Sequence, residues 1–174
     1  MKETGQLSRQ LSELGITATH RQQCRIPPQQ ESTDLVSAEV DIYERPQQMT
    51  GRTLACWQQM RSAAQQDDIK LLLVSAYRSI PYQCALIRRK LDAGENLDQI
   101  LRVNAIPGYS EHHTGAALDL TTTDCKTLDE SFDTTPAFLW LTANASQYDF
   151  FLSYPKDNAL GITYEPWHWA CRTG

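Results

Sequence analysis

Ser110-Glu111-His112-His113-Thr114-Gly115-Ala116-Ala117-Leu118-Asp119 is the stretch on which the reading of this chain turns. His112 and Asp119 stand close to two helical turns apart, but Gly115 interrupts any single helix between them. Ala117-Leu118-Asp119-Leu120 then alternates at period two, which puts Ala117 and Asp119 on one strand face and Leu118 and Leu120 on the other. The spacing predicts His112 on a loop or strand before a turn, and Asp119 on the returning strand. Near the far end stands Glu165-Pro166-Trp167-His168. Pro166 disfavours a helix interior and holds Glu165 extended. This differs from the His-Glu-x-x-His pattern, in which both histidines share one helix. Here Glu165 and His168 must converge from a turn and a strand. Together the two segments supply two imidazoles and a carboxylate that can hold a zinc ion, and a second carboxylate free to act on its bound water.

Outward from these segments, Leu7, Leu11 and Leu14 recur at helical spacing, with Gly15 as a C-cap. Thr17 to Glu31, which contains Pro27-Pro28, reads as an irregular arm lying over the domain. Leu35 to Ile42 reads as a strand. A helix is expected from about Thr50 to Gln66, with Leu54, Trp57, Met60 and Ala64 in one stripe. Ile69 to Val74 reads as a buried strand that leads into Ser75-Ala76-Tyr77-Arg78. Ser79 is an N-cap, Pro81 fits a first turn, and the helix should run to Ala93 with Gly94 ending it. Leu97 to Val103 forms a short helix, and Pro107-Gly108 marks the turn before the central motif. Thr121 to Thr135 is polar and reads as loop, Ala137 to Gln147 as helix, and Phe150 to Ser153 and Trp167 to Ala170 as strands. Interleaved short strands and helices give an α+β fold: one domain with a small, mainly antiparallel sheet, flanking helices and the metal site at the sheet. Its organisation is an N-terminal helix and arm over residues 1–35 followed by the main domain over 36–174.

The 174 residues suffice for one domain with a real core. Their net charge of −5 argues against nucleic acid as a partner, because phosphate backbones call for a basic face. No apolar run approaches the ~20 residues that span a membrane. Met1-Lys2-Glu3-Thr4-Gly5-Gln6-Leu7-Ser8 lacks the apolar core of a secretory signal, so the expectation is a cytoplasmic protein, or a periplasmic one from which an export signal was removed. The five cysteines are far apart and form no Cys-x-x-Cys, which argues against a zinc knuckle or thioredoxin-like pair. Their odd number leaves at least one thiol unpaired. Cys56 and Cys84, within helical patterns, read as small buried hydrophobes.

A single His is more often a hydrogen-bonded surface or core residue than a ligand, and His20 and His113 take that reading. Context separates the others. Ser110-x-His112-x-x-Gly115-x-Ala117-x-Asp119, with Glu165-Pro166-Trp167-His168-Trp169 downstream, resembles the VanY-type zinc carboxypeptidases of bacterial cell-wall metabolism. Ser75-Ala76-Tyr77-Arg78-Ser79 and Gln83 match a further block of that family. The resemblance spans roughly residues 70 to 170. It implies one zinc ion held by His112, Asp119 and His168, with Glu165 as general base. Arg78 matches the arginine on the substrate carbonyl and the developing oxyanion. Tyr77, Gln83, Ser110 and Trp167 match the substrate pocket. This chain departs from the family where Trp169 is followed by Ala170-Cys171-Arg172 rather than Arg-Tyr, and where His113 replaces a common Gln.

What the resemblance implies is a zinc metallocarboxypeptidase that removes C-terminal D-alanine from peptidoglycan stem peptides. The reading leans to L,D-cleavage of tetrapeptides in murein recycling. The alternatives are D,D-cleavage of pentapeptides and a murein endopeptidase. From a different class comes a non-catalytic zinc- or peptidoglycan-binding module, against which Glu165 counts, since a structural zinc site is closed by a fourth ligand.

Overall fold

The computed structural model describes residues 5–172 of the chain. Among these residues six α-helices and six strands intermix in an α+β arrangement. The helices are α1 (Gly5–Glu13), α2 (Ala18–Gln23), α3 (Gly51–Gln66), α4 (Ile80–Asp92), α5 (Leu97–Val103) and α6 (Pro136–Asn144). The strands are β1 (Val36–Val40), β2 (Pro46–Met49), β3 (Leu72–Ser75), β4 (Ala117–Thr121), β5 (Phe150–Leu152) and β6 (His168–Cys171). Local chemistry sets the helix starts. Thr50 and Ser79 are extended N-caps whose hydroxyls accept from the Thr53 and Tyr82 amides, and Asn96 caps α5 in the same way. Each satisfies a backbone donor that the first helical turn leaves without a partner.

The central sheet has the order β3-β4-β6-β5 and is antiparallel throughout. β4 lies between β3 and β6, and all five of its residues are buried. Both of its faces are therefore covered, so the period-two pattern that makes it a strand does not give it a wet side. Its register carries the site: Asp119 lies opposite His168 of β6 and opposite Ser75 of β3. Between Leu73 and Ser75 the register shifts, with two steps on β3 set against one on β4. This bulge re-aims the end of β3, where Ala76 and Arg78 follow. A separate hairpin, β1–β2, stitches onto that end: Tyr77 N–H donates to the Gln48 carbonyl (3.0 Å) and Ala76 N–H to Gln47 Oε1 (3.0 Å). β2, which begins on Pro46 and carries two glutamines, has no strand pattern of its own.

Two apolar cores hold these layers. The larger packs Trp57, Met60 and Ala64 of α3 and Leu141 of α6 against Leu118, Leu120, Phe150 and Trp169 of the sheet. The second joins Leu7, Leu11 and Leu14 to Cys84 and Ile87 of α4 and Ile100 of α5. The N-terminal segment is thus a packed part of the domain. Residues Thr17 to Glu31, expected to be irregular, contain α2. Its start is a capping box in which Thr17 accepts from His20 N–H while the His20 ring accepts from Thr17 N–H. Histidine in place of the usual Glu or Gln hid that signal. Farther along, Gln29 N–H bonds the Gly108 carbonyl, Ser32 N–H bonds that of His113, and Glu31 accepts from both Tyr77 OH and Ile80 N–H. All five cysteines are free thiols. No helix among the described residues is long and apolar enough to cross a membrane.

Candidate metal centre and cleft

Two adjacent strands, β4 and β6, and one short turn bring the candidate ligands together. His112 sits on a 3-10 turn, Glu111–Thr114, rather than on the loop or strand expected. Gly115 ends that turn in the left-handed region at φ 70°. A Cβ there would lie 2.7 Å from Leu35 Cδ2 and 3.3 Å from the Thr50 backbone nitrogen. Glycine is what lets the chain turn from His112 directly into β4. His168 opens β6 after a turn in which its N–H bonds the Glu165 carbonyl (3.1 Å).

The donor atoms of His112, Asp119 and His168 lie within 4.8 Å of one another, and all three residues are buried. Hydrogen bonds fix which imidazole nitrogen each histidine presents. His112 Nδ1 is 2.6 Å from the Ala76 carbonyl oxygen. A carbonyl only accepts, so Nδ1 carries the proton and Nε2 keeps its lone pair. Nε2 is buried, has no hydrogen-bond partner among the described residues and faces Asp119 Oδ1 at 3.3 Å. Two acceptors at that separation repel unless a cation or proton lies between them. His168 presents the opposite nitrogen: Nδ1 is 3.1 Å from Asp119 Oδ1, while Nε2 is 2.9 Å from Glu111 Oε2. Two imidazoles and one carboxylate, with an orphaned buried acceptor at their centre, fit a divalent ion that takes nitrogen and oxygen ligands.

The electrostatics agree. Burial, reinforced by the Arg78 charge, lowers the His112 pKa to about 4, which keeps its ring neutral. Burial acts the same way on His168, but the Asp119 and Glu111 hydrogen bonds outweigh it, and among the protein's own groups its pKa rises to about 10. Two glutamates flank the centre in contrasting states. Burial raises Glu165 to about 7. For Glu111 the hydrogen bond and charge of His168 overcome burial and lower the pKa. Such divergence distinguishes a carboxyl poised to exchange protons from one held as an anion. Glu165 Oε2 lies 3.9 Å from His168 Nδ1, beside the trio.

The site opens into a cavity of about 470 Å³ lined by Arg78, Asp119, Glu165 and Trp167. Tyr82, Leu86 and Lys90, at successive i, i+4 positions of α4, also line it, together with Val103 and Leu128. Arg78 is clamped through its backbone: its N–H bonds the His112 carbonyl (3.1 Å), and its carbonyl accepts from His113 Nδ1 (2.6 Å). Its Nε is a buried donor with no partner among the described residues. The guanidinium is therefore committed to the cleft and not to a surface ion pair.

Of the residues expected in the pocket, Trp167 lines this cavity. Tyr77 lines an adjoining one of about 290 Å³, which shares Arg45, Ser75, Arg78 and Tyr82 with it. Tyr77 OH is bonded to Glu31. Ser110 and Gln83 are buried and line neither cavity; the Gln83 amide donates to the Ala105 carbonyl. His113, the expected bystander, is a fully buried hydrogen-bonded histidine whose Nε2 accepts from Gly108 N–H. Two neighbours of the trio escaped sequence reasoning. Glu111 stood unassigned between two motif positions, although a carboxylate next to a ligand His is a usable signal. Tyr154 packs its ring 4.7 Å from that of His168 (centroid to centroid), and no spacing pointed to it.

The family profile described as VanY, D-alanyl-D-alanine carboxypeptidase, matches residues 46–172. YodJ of Bacillus subtilis (strain 168), named as a carboxypeptidase, is 34% identical over 162 residues, covering 88% of this chain and 58% of its own length. A D-alanyl-D-alanine carboxypeptidase of Enterococcus faecium is 42% identical over 67 residues, covering 37% of this chain and 20% of its own. The chain therefore spans less than two thirds of either relative. Among solved structures, the LdcB LD-carboxypeptidase superposes with a TM-score of 0.73 at 28% identity, covering 83% of this chain and 71% of that one.

Proposed function

The chain belongs to the VanY family, and on that premise we propose that it is a zinc-dependent carboxypeptidase removing C-terminal D-alanine from peptidoglycan stem peptides, acting on tetrapeptides with L,D-specificity. The observation that carries the reading is the arrangement of His112, Asp119 and His168 as three donors with Glu165 beside them on the cleft. A structural zinc site would be closed by a fourth protein ligand, whereas a catalytic one keeps a position open. Zinc bound there would supply a Lewis acid and a nucleophilic water near neutral pH.

The chain's own residues divide the remaining work. Glu165, with its pKa raised to about 7 by burial, takes a proton on its carboxylate from the attacking water and returns it to the leaving amine. Arg78, whose buried Nε has no partner among the described residues, directs fixed donors at the carbonyl oxygen as it gains negative charge. Preorganised donors of this kind are often the largest single catalytic contribution. Tyr154, buried with its ring against that of His168, keeps water from that side of the centre, which strengthens both interactions. Along the cleft, the α4 wall of Tyr82, Leu86 and Lys90 offers apolar contact and one cation to the rest of an anionic peptide.

The L,D reading draws on the likeness to the LdcB LD-carboxypeptidase over most of the chain. A D,D reading on pentapeptides is favoured by the profile's description and by the Enterococcus relative. Mass spectrometry of muropeptides incubated with the zinc-loaded protein separates them. Loss of one alanine from the tetrapeptide supports the L,D reading. Loss from pentapeptide alone replaces it with the D,D reading. Cleavage within the stem overturns both.

A further inference from the structure

We propose that Glu111 is the positioning residue for His168, a role resting on the reading of His112, Asp119 and His168 as a metal site. Glu111 Oε2 lies 2.9 Å from His168 Nε2, on the far side of the ring from Nδ1, which faces Asp119 Oδ1 at 3.1 Å. A carboxylate only accepts, so the Nε2 proton is committed to Glu111. Nδ1 is then the nitrogen left to bind metal. His112 achieves the same selection with the opposite nitrogen, through the Ala76 carbonyl. One histidine is held by main chain, which no substitution removes, and the other by a side chain.

The placement of Glu111 gives it a second consequence. It occupies the same 3-10 turn as His112 and directly precedes it. With about three residues per turn, adjacent side chains on such a turn diverge by about a third of a revolution. His112 can then enter the trio while Glu111 reaches around it to the ring of His168, on β6 and 57 residues along the chain. A single turn thus delivers one ligand and the partner that orients another. The His168 ring is bounded on its remaining sides by Tyr154 and by the edge of His112. Its orientation is therefore set by Glu111, Asp119 and packing, and the Glu111 side chain is only 21% exposed, which limits competition from water. Partners of this kind fix both the tautomer and the ring angle of a ligating histidine, and losing one typically weakens metal binding by about 10–100-fold.

The test measures zinc affinity of the full chain by competition with a chromogenic chelator, alongside circular dichroism for folding. Glu111→Ala should weaken zinc binding by about 10–100-fold. Glu111→Gln keeps an oxygen acceptor at the same reach and should recover most of that loss. Glu111→Asp keeps the charge but withdraws the acceptor by one methylene, and should bind zinc more weakly than the Gln variant. In the zinc-loaded parent, long-range proton–nitrogen NMR should show His168 protonated at Nε2, with that signal lost in Glu111→Ala. A Glu111→Ala affinity equal to the parent's overturns the proposal and leaves the carboxypeptidase reading standing. So does a Gln variant that binds as poorly as the Ala variant. A parent that binds no zinc overturns both.

Discussion

His112 Nε2 and Asp119 Oδ1 face each other at 3.3 Å with no donor between them, and the surrounding residues hold that arrangement in place. Behind His112 a hydrogen-bonded path runs from the Ala76 carbonyl, through Ala76 N–H to Gln47 Oε1 (3.0 Å), and from Gln47 Nε2 to Asp41 Oδ2 (2.8 Å). Asp41 also accepts from the Tyr43 and Arg45 amides and from Arg45 Nε, and its side chain is fully buried. Burial pushes the Asp41 pKa up, but the Arg45 and Tyr43 bonds outweigh it, so the folded value lies below the ordinary one. The unfolded chain then takes the proton more readily. Asp41 contributes stability that is fully present above about pH 4 and drains away as pH falls through the lowered folded value. Asp41→Asn should cost about 1–3 kcal/mol at pH 7, and the gap to the parent should narrow in acid; urea denaturation at the two pH values checks this. The candidate ligand trio was legible because its residue types and spacing together carried the family resemblance, and the fold brings the three donors within 4.8 Å of one another. Asp41 and Glu111 were not, because each acquires meaning only from a partner that the fold brings to it.

At the level of elements, the turn from His112 into β4 depends on Gly115. Its positive φ disfavours any side chain, and a Cβ would crowd the Thr50 nitrogen, which already donates to the Gly115 carbonyl. Gly115→Ala should destabilise the protein by about 1–3 kcal/mol and weaken zinc binding, since the turn carrying His112 must shift. Denaturant titration and metal competition report the two effects separately. Elements with local signals were readable: α4 from Ser79 and Gly94, α3 from its apolar stripe, and β4 from its alternation. β2 was not, because Pro46-Gln47-Gln48-Met49 becomes a strand only through pairing with β1. The 3-10 turn at Glu111 was missed because four residues leave no period to read.

Across the whole molecule, the sheet order and the placing of the N-terminal segment were the least legible features, since both rest on contacts between distant residues. α1 closes the second core over α4 and α5, and Leu11 is 1% exposed within it. Leu11→Ala should cost about 2–5 kcal/mol, seen as a lower urea midpoint, while turnover at low temperature stays near the parent's because the metal centre belongs to the other core. The cleft, by contrast, joins the main sheet to α4, so on the proposed reading substrate contact, though not the metal centre, draws on both halves. Glu165 as general base at a zinc centre is tested by comparing zinc content and D-alanine release for the parent and Glu165→Gln side by side. Equal zinc is expected in both proteins, with turnover by the variant lower by about 10²–10⁴-fold. Full turnover by the zinc-loaded variant, or a parent that neither binds zinc nor releases D-alanine, would contradict that role.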